Sequence, residues 1–332
     1  MSRSIAVIGD GGWGTALALL LHGKGERVTV WGPLPDYIAE VRSTGRNPLY
    51  LPGVTIPAGI RWTADRSEAV SGADIVVLAV PSKFFREVAG SLAGLVRADA
   101  LILSVAKGLD EQTRMRMTEV ASSLLGDGRC AALSGPSHAE EVARGIPTAV
   151  VIACADLDRA ARLQSVFMTP RFRVYTSDDV AGVELGGALK NIIAVAVGVS
   201  DGLGFGDNTR AALMTRGLVE MSRLGCALGA QPATFAGLSG MGDLIVTCTS
   251  RHSRNRAVGE RLGRGESIDA IVGSMKQVAE GVGNCAIARA IARDVGVDVP
   301  ITDEVYAILR EGKRPLEAVQ SLMTRSAKPE GA

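Results

Sequence analysis

The sequence predicts an α/β chain in two parts: a mostly parallel, doubly wound sheet domain over residues 1–179 and an all-helical domain over residues 180–332. Three observations carry this. The 332 residues exceed what one compact core usually spans. The first half alternates short apolar runs with helical patterns, which implies a parallel sheet wound right-handedly. After about Asp178 the strand-like runs nearly vanish and long helical patterns take over.

The strand runs are Ile5–Ile8, Val28–Trp31, Ile75–Val80, Leu101–Val105, Ala149–Ile152 and a last one at Arg173–Tyr175. They are β-branched or aliphatic without polar alternation, as suits strands covered on both faces. Helical patterns separate several of them, at Trp13–Lys24 and Gln112–Leu125. In the second half the helical patterns are Val180–Val199, Thr209–Leu228, Ser253–Leu262, Ser267–Ile271 and Asn284–Asp294. The tail Ser326–Ala332 is polar and reads as frayed.

The first strand runs straight into Gly9-Asp10-Gly11-Gly12-Trp13-Gly14, then the helical Thr15–Leu20. Gly9 permits a tight turn, Gly11 lets the backbone approach a pyrophosphate, and Gly14 lets helix and strand pack closely. The helix N-terminus offers free N–H groups to phosphates. Between a strand and a helix, this spacing reads as a dinucleotide site rather than a structural turn. After the second strand, Trp31-Gly32-Pro33-Leu34-Pro35 carries neither a carboxylate for a ribose 2′-hydroxyl nor an arginine for a 2′-phosphate. Asp36 falls late and suits a helix cap. The choice between NAD and NADP stays open, and a weak preference is expected.

Four further segments carry chemistry. Lys107 lies just past the end of a buried strand, where ligands of parallel sheets bind. Gly135-Pro136-Ser137 makes a turn, with Ser137 placed to cap a helix and Glu140 at capping-box spacing. Lys190 follows the pair Gly186-Gly187 within an apolar helical pattern. Two glycines there cost about 1 kcal/mol each relative to alanine, which close approach of a ligand or backbone would justify. A lysine in apolar surroundings has a lowered pKa and suits a general base. Finally, Gly240-Met241-Gly242-Asp243 supplies a carboxylate. Ser253 reads as an N-cap with Arg254 and Asn255 in the first turn. Arginine is disfavoured at that position unless an anion binds there.

Other classes have little support. Net charge is +1, with no long run of one sign, so no nucleic-acid partner is implied. The N-terminus lacks the apolar core of a secretory signal, and no stretch reads as the roughly 20 apolar residues of a membrane helix. The chain is therefore expected in the cytoplasm. Five scattered cysteines give neither a disulfide framework nor a zinc motif, and His22, His138 and His252 form no ligand pattern. No metal is expected.

Together the segments resemble NAD(P)-dependent glycerol-3-phosphate dehydrogenases of the bacterial type. The resemblance is carried, in family order, by Ile8–Ala18, Asn47-Pro48-Leu49-Tyr50-Leu51-Pro52-Gly53, Lys107-Gly108-Leu109, Leu133–Ser137, Val183–Asn191, Gly240–Asp243, Ser253–Arg256 and Val278–Gly281. It implies a Rossmann domain followed by a helical domain like that of 6-phosphogluconate dehydrogenase, and a homodimer. It implies that Lys190 accepts the proton of the substrate 2-hydroxyl, that Lys107 touches substrate and cofactor, and that Asp243 orients Lys190. Gly135, Ser137, Ser253, Arg254 and Asn255 would hold the phosphorylated substrate. Gly12, Trp13, Ala139, Arg254, Val278 and Glu280 would reach the cofactor. The product would supply glycerophospholipid synthesis. Two departures stand out: His138 replaces an apolar or aromatic residue, and Gly283-Asn284 stands where an aromatic is commoner. Two rival readings remain at this stage. One is a related two-domain β-hydroxyacid dehydrogenase, which would not need the Ser253-Arg254-Asn255 grip. The other is a non-catalytic nucleotide sensor, which would not need Lys190.

Overall fold

The computed structural model describes residues 2–275, 277–327 and 329–330. Lys328, Gly331 and Ala332 of the polar tail lie outside the described residues.

The first half holds β1 (Ser4–Ile8), α1 (Gly12–Gly23), β2 (Arg27–Trp31), α2 (Pro35–Thr44), β3 (Arg46–Asn47), β4 (Leu51–Thr55), β5 (Arg61–Thr63) and α3 (Arg66–Val70). It continues through β6 (Ile75–Leu78), α4 (Ser82–Gly90), β7 (Leu101–Ser104), α5 (Met117–Leu125), β8 (Cys130–Ser134), α6 (Ala139–Ala143), β9 (Thr148–Ala153), α7 (Leu157–Phe167) and β10 (Phe172–Ser177). One eight-stranded sheet has the order β10-β9-β8-β7-β6-β1-β2-β5, while β3 and β4 form a separate hairpin. From β1 the chain first moves outward to β2 and β5, then returns to β6 on the other side. The strand order therefore reverses between β1 and β6, and a crevice opens outside their carboxyl ends. Apolar side chains such as Val7, Val30, Val77 and Leu103 bury one face, and Ile8, Val76, Leu78 and Ile102 the other.

The sheet is mostly parallel, as expected, with only the β8–β9 pair antiparallel. The five-residue α6 packs on α1, and the chain turns back without crossing a sheet face. The helix read from Gln112 begins at Met117, because Asp110 holds Thr113 in a turn and Arg114 adopts a φ of 60°. Asp36 is the second residue of α2 and not its cap, which is Leu34. Ser137 does not cap α6. His138 occupies that position without a side-chain cap bond, and the Ser137 hydroxyl donates instead to the Gly135 carbonyl at 2.8 Å.

The second half is helical: α8 (Val180–Gly202), α9 (Asp207–Ala227), α10 (Pro232–Ala236), α11 (Asp243–Thr249), α12 (Arg254–Gly263), α13 (Ile268–Ser274), α14 (Glu280–Asp294), α15 (Pro300–Arg310) and α16 (Pro315–Met323). A turn of π-helix over Leu238–Gly242 leads into α11. Asp179 caps α8, accepting from the Gly182 N–H at 2.9 Å, and also accepts from the Gln231 N–H and the Thr234 hydroxyl. By length and composition α8 could cross a membrane, contrary to the sequence reading, but most of it is buried inside the protein. It is the axis on which α9, α11, α12 and α14 pack. Its N-terminal turn is tied to the sheet half: the buried Glu184 accepts from Arg116 and from the Thr118 backbone, each at 2.8 Å.

Candidate active site

The glycine loop is built as its spacing requires. Gly9 has a φ of 128°, and a Cβ there would lie 2.7 Å from the Ala79 carbonyl oxygen on the neighbouring strand's loop. A Cβ at Gly14 would lie 2.0 Å from the Gly9 oxygen, so only glycine lets α1 start this close to β1. Nothing stands within 4 Å of a Cβ at Gly11, and no side chain caps α1. The loop thus leaves room at Gly11, beside an uncapped helix start, for an incoming pyrophosphate. Asn47, from β3, holds the loop: its amide donates to the Asp10 carbonyl at 2.7 Å and to the Thr15 hydroxyl at 2.8 Å. From the sequence alone, Asn47 is part of a motif with no role of its own.

A cleft of ≈ 860 Å³ runs from this loop to the helical half. Gly9, Gly11, Gly12 and Trp13 line it, as do Lys107, Ser137, Ala139 and Lys190. Ser253, Arg254, Asn255, Val278 and Glu280 line it from the other side. Of the expected site residues, Gly14, Gly135 and Asp243 do not face the cleft. Gly14 sits in the helix–strand contact, while Gly135 and Asp243 act on the two lysines from behind.

Those lysines form one cluster with Asp243. Lys190 is 5% exposed and Asp243 only 1%. The Lys190 ammonium donates to Asp243 Oδ1 and, at 2.6 Å, to the Thr247 hydroxyl. Lys107 Nζ donates to Asp243 Oδ2 at 2.8 Å and to the Gly135 carbonyl at 2.8 Å, with Ser137 Oγ at 3.3 Å. One carboxylate therefore holds both lysines, one per oxygen. Burial, helped by Lys107 and opposed by Asp243, brings the Lys190 ammonium down to about 8. Burial alone would raise the Asp243 carboxyl, but Lys107 and Lys190 outweigh it and hold it below the usual range.

The glycine pair in α8 has the close neighbours its sequence implied. A Cβ at Gly186 would lie 2.6 Å from the Ser239 carbonyl oxygen, so α8 rests on the π-turn that leads to Asp243. A Cβ at Gly187 would lie 2.7 Å from Ser134 Oγ and 3.4 Å from Lys107 Cγ. This is the contact that brings Lys107 of the sheet half beside Lys190 of the helical half.

A chain of amides supports the cluster. Asn191 donates to the Lys107 carbonyl at 3.2 Å and accepts from Asn255 at 2.8 Å; Asn255 in turn accepts from the Gly281 N–H at 2.9 Å. Asn284, noted only as a departure from the family pattern, is buried and also donates to the Lys107 carbonyl at 3.2 Å. Ser253 caps α12 through the Arg256 N–H, as its sequence position implied. Glu280 accepts from the Ser82 N–H at 2.9 Å and from its hydroxyl, joining α14 to α4. Thr247 and Ser82 went unnoticed in the sequence. Thr247 lies one helical turn after Asp243, and that i, i+4 spacing was its only signal. His138 and His252, distant in sequence, have ring centroids 5.8 Å apart on the cleft wall. Among the described residues no group of three or more His, Cys, Asp or Glu stands together as a metal set.

An uncapped helix start at the switch point suits a dinucleotide, and a lysine tuned near neutrality suits proton exchange with an alcohol or ketone. Both facing one cleft define a nicotinamide-dependent dehydrogenase of the doubly wound class. The chain belongs to the NAD-dependent glycerol-3-phosphate dehydrogenase family, whose N-terminal region matches residues 4–160 and whose C-terminal region matches residues 179–320. It is 52% identical to the glycerol-3-phosphate dehydrogenase (NAD(P)+) of Geobacter metallireducens, over 99% of each chain. It is 53% identical to that of Moorella thermoacetica, over 98% of this chain and 97% of the other. The crystal structure of glycerol-3-phosphate dehydrogenase from Coxiella burnetii superposes with a TM-score of 0.94 at 40% identity, covering 98% of this chain and 99% of that one.

Proposed function

We propose that this chain interconverts glycerol 3-phosphate and dihydroxyacetone phosphate, with Lys190 exchanging the proton of the substrate C2 oxygen. The observation that carries this is the buried Lys190, held by Asp243 and Thr247 in the wall of the same cleft that the glycine loop opens. The glycine loop and α1 N-terminus would hold the cofactor pyrophosphate, and the nicotinamide, when bound, supplies the acceptor or donor for the C2 hydride. In oxidation, neutral Lys190 accepts the hydroxyl proton; in reduction, protonated Lys190 returns it to the ketone oxygen. Asp243 is a positioning residue: it fixes the Lys190 ammonium and, through its second oxygen, Lys107. Lys107 and Ser137 line the cleft from the sheet side, where they would meet the substrate. Ser253, Arg254 and Asn255 at the start of α12 face the cleft from the helical side, where a phosphate would meet the guanidinium and the helix dipole.

The division of the chain at 179/180 is supported by β10 ending at Ser177 and α8 starting at Val180. The family resemblance supports a homodimer in the cytoplasm whose product feeds glycerophospholipid synthesis. The test is oxidation of NADH and NADPH with dihydroxyacetone phosphate, dihydroxyacetone or a β-keto acid as acceptor. The expected result is turnover with the phosphate ester far above the other two. Preference for the keto acid would favour a β-hydroxyacid dehydrogenase, and cofactor binding without any turnover would favour a nucleotide sensor.

A further inference from the structure

We propose that Arg66, the first residue of α3 just past the strand beside β2, reads the 2′-phosphate of NADP(H) in this protein. The proposal rests on the cleft being a nicotinamide-dinucleotide site. In a doubly wound sheet the group that recognises the adenosine ribose stands at the carboxyl end of β2. Residues 31–35 carry no charged side chain there. The sheet order supplies a neighbour instead. β5 pairs with β2 in parallel, Trp31 opposite Thr63, so the loop after β5 opens at the same edge as the loop after β2. Arg66 is the third residue past the end of β5. It lines the cleft together with Trp31 and Pro33, at the end away from the Lys190 cluster.

The side chain is arranged for a ligand. Its guanidinium carbon lies 4.9 Å from the Trp31 ring centroid, over the indole face. The ring is itself fixed, because its N–H donates to the Ala64 carbonyl at 3.0 Å, in the loop that carries Arg66. The indole and the guanidinium thus brace one another across β2 and β5. A guanidinium stacked by its face keeps its edge N–H groups for an anion. Its Nε is buried and has no hydrogen-bond partner. The carboxylates nearest it in sequence are committed elsewhere: Asp65 caps α3, and Glu68 pairs with Arg61 at 2.7 Å; Asp10, whose carboxyl stands beside Gly32, and Glu87 also line the cleft. Among the described residues Arg66 forms no ion pair. A half-buried, stacked and unpaired arginine at the adenosine end matches a phosphomonoester, whose paired oxygens accept from the guanidinium fork.

Adenosine fragments test this without turnover. Binding of 2′,5′-ADP and of 5′-AMP is measured by calorimetry on the full-length wild type and on Arg66→Ala. The wild type is expected to bind 2′,5′-ADP about tenfold or more tighter than 5′-AMP, in line with a charge-assisted contact. Arg66→Ala should lose that advantage while its affinity for 5′-AMP stays within about threefold, a retained affinity that also shows the fold intact. Equal weakening of both fragments would assign Arg66 to the adenine and overturn the proposal. So would a wild type that does not distinguish the fragments, or a variant that still does. Failure of the wild type to bind either fragment or NADH would instead overturn the dinucleotide reading on which the proposal rests.

Discussion

The two ends of the cleft are built on opposite principles. At the Lys190 end, charges are satisfied from within: Asp243 gives one oxygen to Lys190 and the other to Lys107, and Thr247, Gly135 and the Asn191–Asn255–Gly281 chain take up the remaining bonds. At the Trp31 end, Arg66 is braced by an aromatic face and its Nε lacks a partner. A group that must move a proton is pre-organised with a fixed pKa before substrate arrives. A group that only recognises charge is better left with its hydrogen bonds unspent, so that the ligand completes them.

Removing a member of the satisfied end should have the largest effect. Lys190→Ala is expected to lower kcat by about 10²–10⁴-fold, the usual contribution of general acid–base help. Because Lys190 lies at the far end from Arg66, affinity for 2′,5′-ADP should remain unchanged. A variant with near-normal kcat, or one that loses the fragment, would break the division between the ends. Arg254 gives a smaller and more selective test. Its side chain is exposed to the cleft at the α12 N-terminus. Arg254→Ala should lower kcat/KM for dihydroxyacetone phosphate about tenfold or more, from the loss of one charge-assisted bond of about 1.5–3 kcal/mol. Dihydroxyacetone, with no phosphate, should be affected much less. An equal loss on both substrates would move Arg254 from phosphate recognition to cofactor contact.

The same contrast explains what the sequence disclosed. Gly9-x-Gly11-x-x-Gly14 was legible because its mechanics are local: one turn, one helix start and one close contact. Lys190 was legible because a lone ammonium after Gly186-Gly187 in an apolar helix breaks a pattern. Ser253, too, announced its cap from neighbouring residues. Arg66 was invisible because its meaning depends on β5, a strand of three residues, lying beside β2. Thr247, Ser82 and Asn284 were missed for the same reason: their partners Lys190, Glu280 and Lys107 are distant in sequence. The antiparallel β9 and the Asp110 turn before α5 also depend on contacts that no periodicity records.

The central claim is that Lys190, tuned by burial and by Asp243, is the proton-exchanging group, and rate–pH profiles in both directions test it most directly. Lys190 must be neutral to accept a proton, and burial against the pull of Asp243 leaves its midpoint at about 8. The kcat/KM for glycerol 3-phosphate oxidation, which reports the free enzyme, should therefore rise as pH passes through about 8 and then level, and the kcat/KM for dihydroxyacetone phosphate reduction should fall over the same interval. In Asp243→Asn the ammonium loses the carboxylate that supports it, so both midpoints should move to lower pH. Profiles that are flat across this range, or midpoints that Asp243→Asn leaves in place, would contradict the assignment.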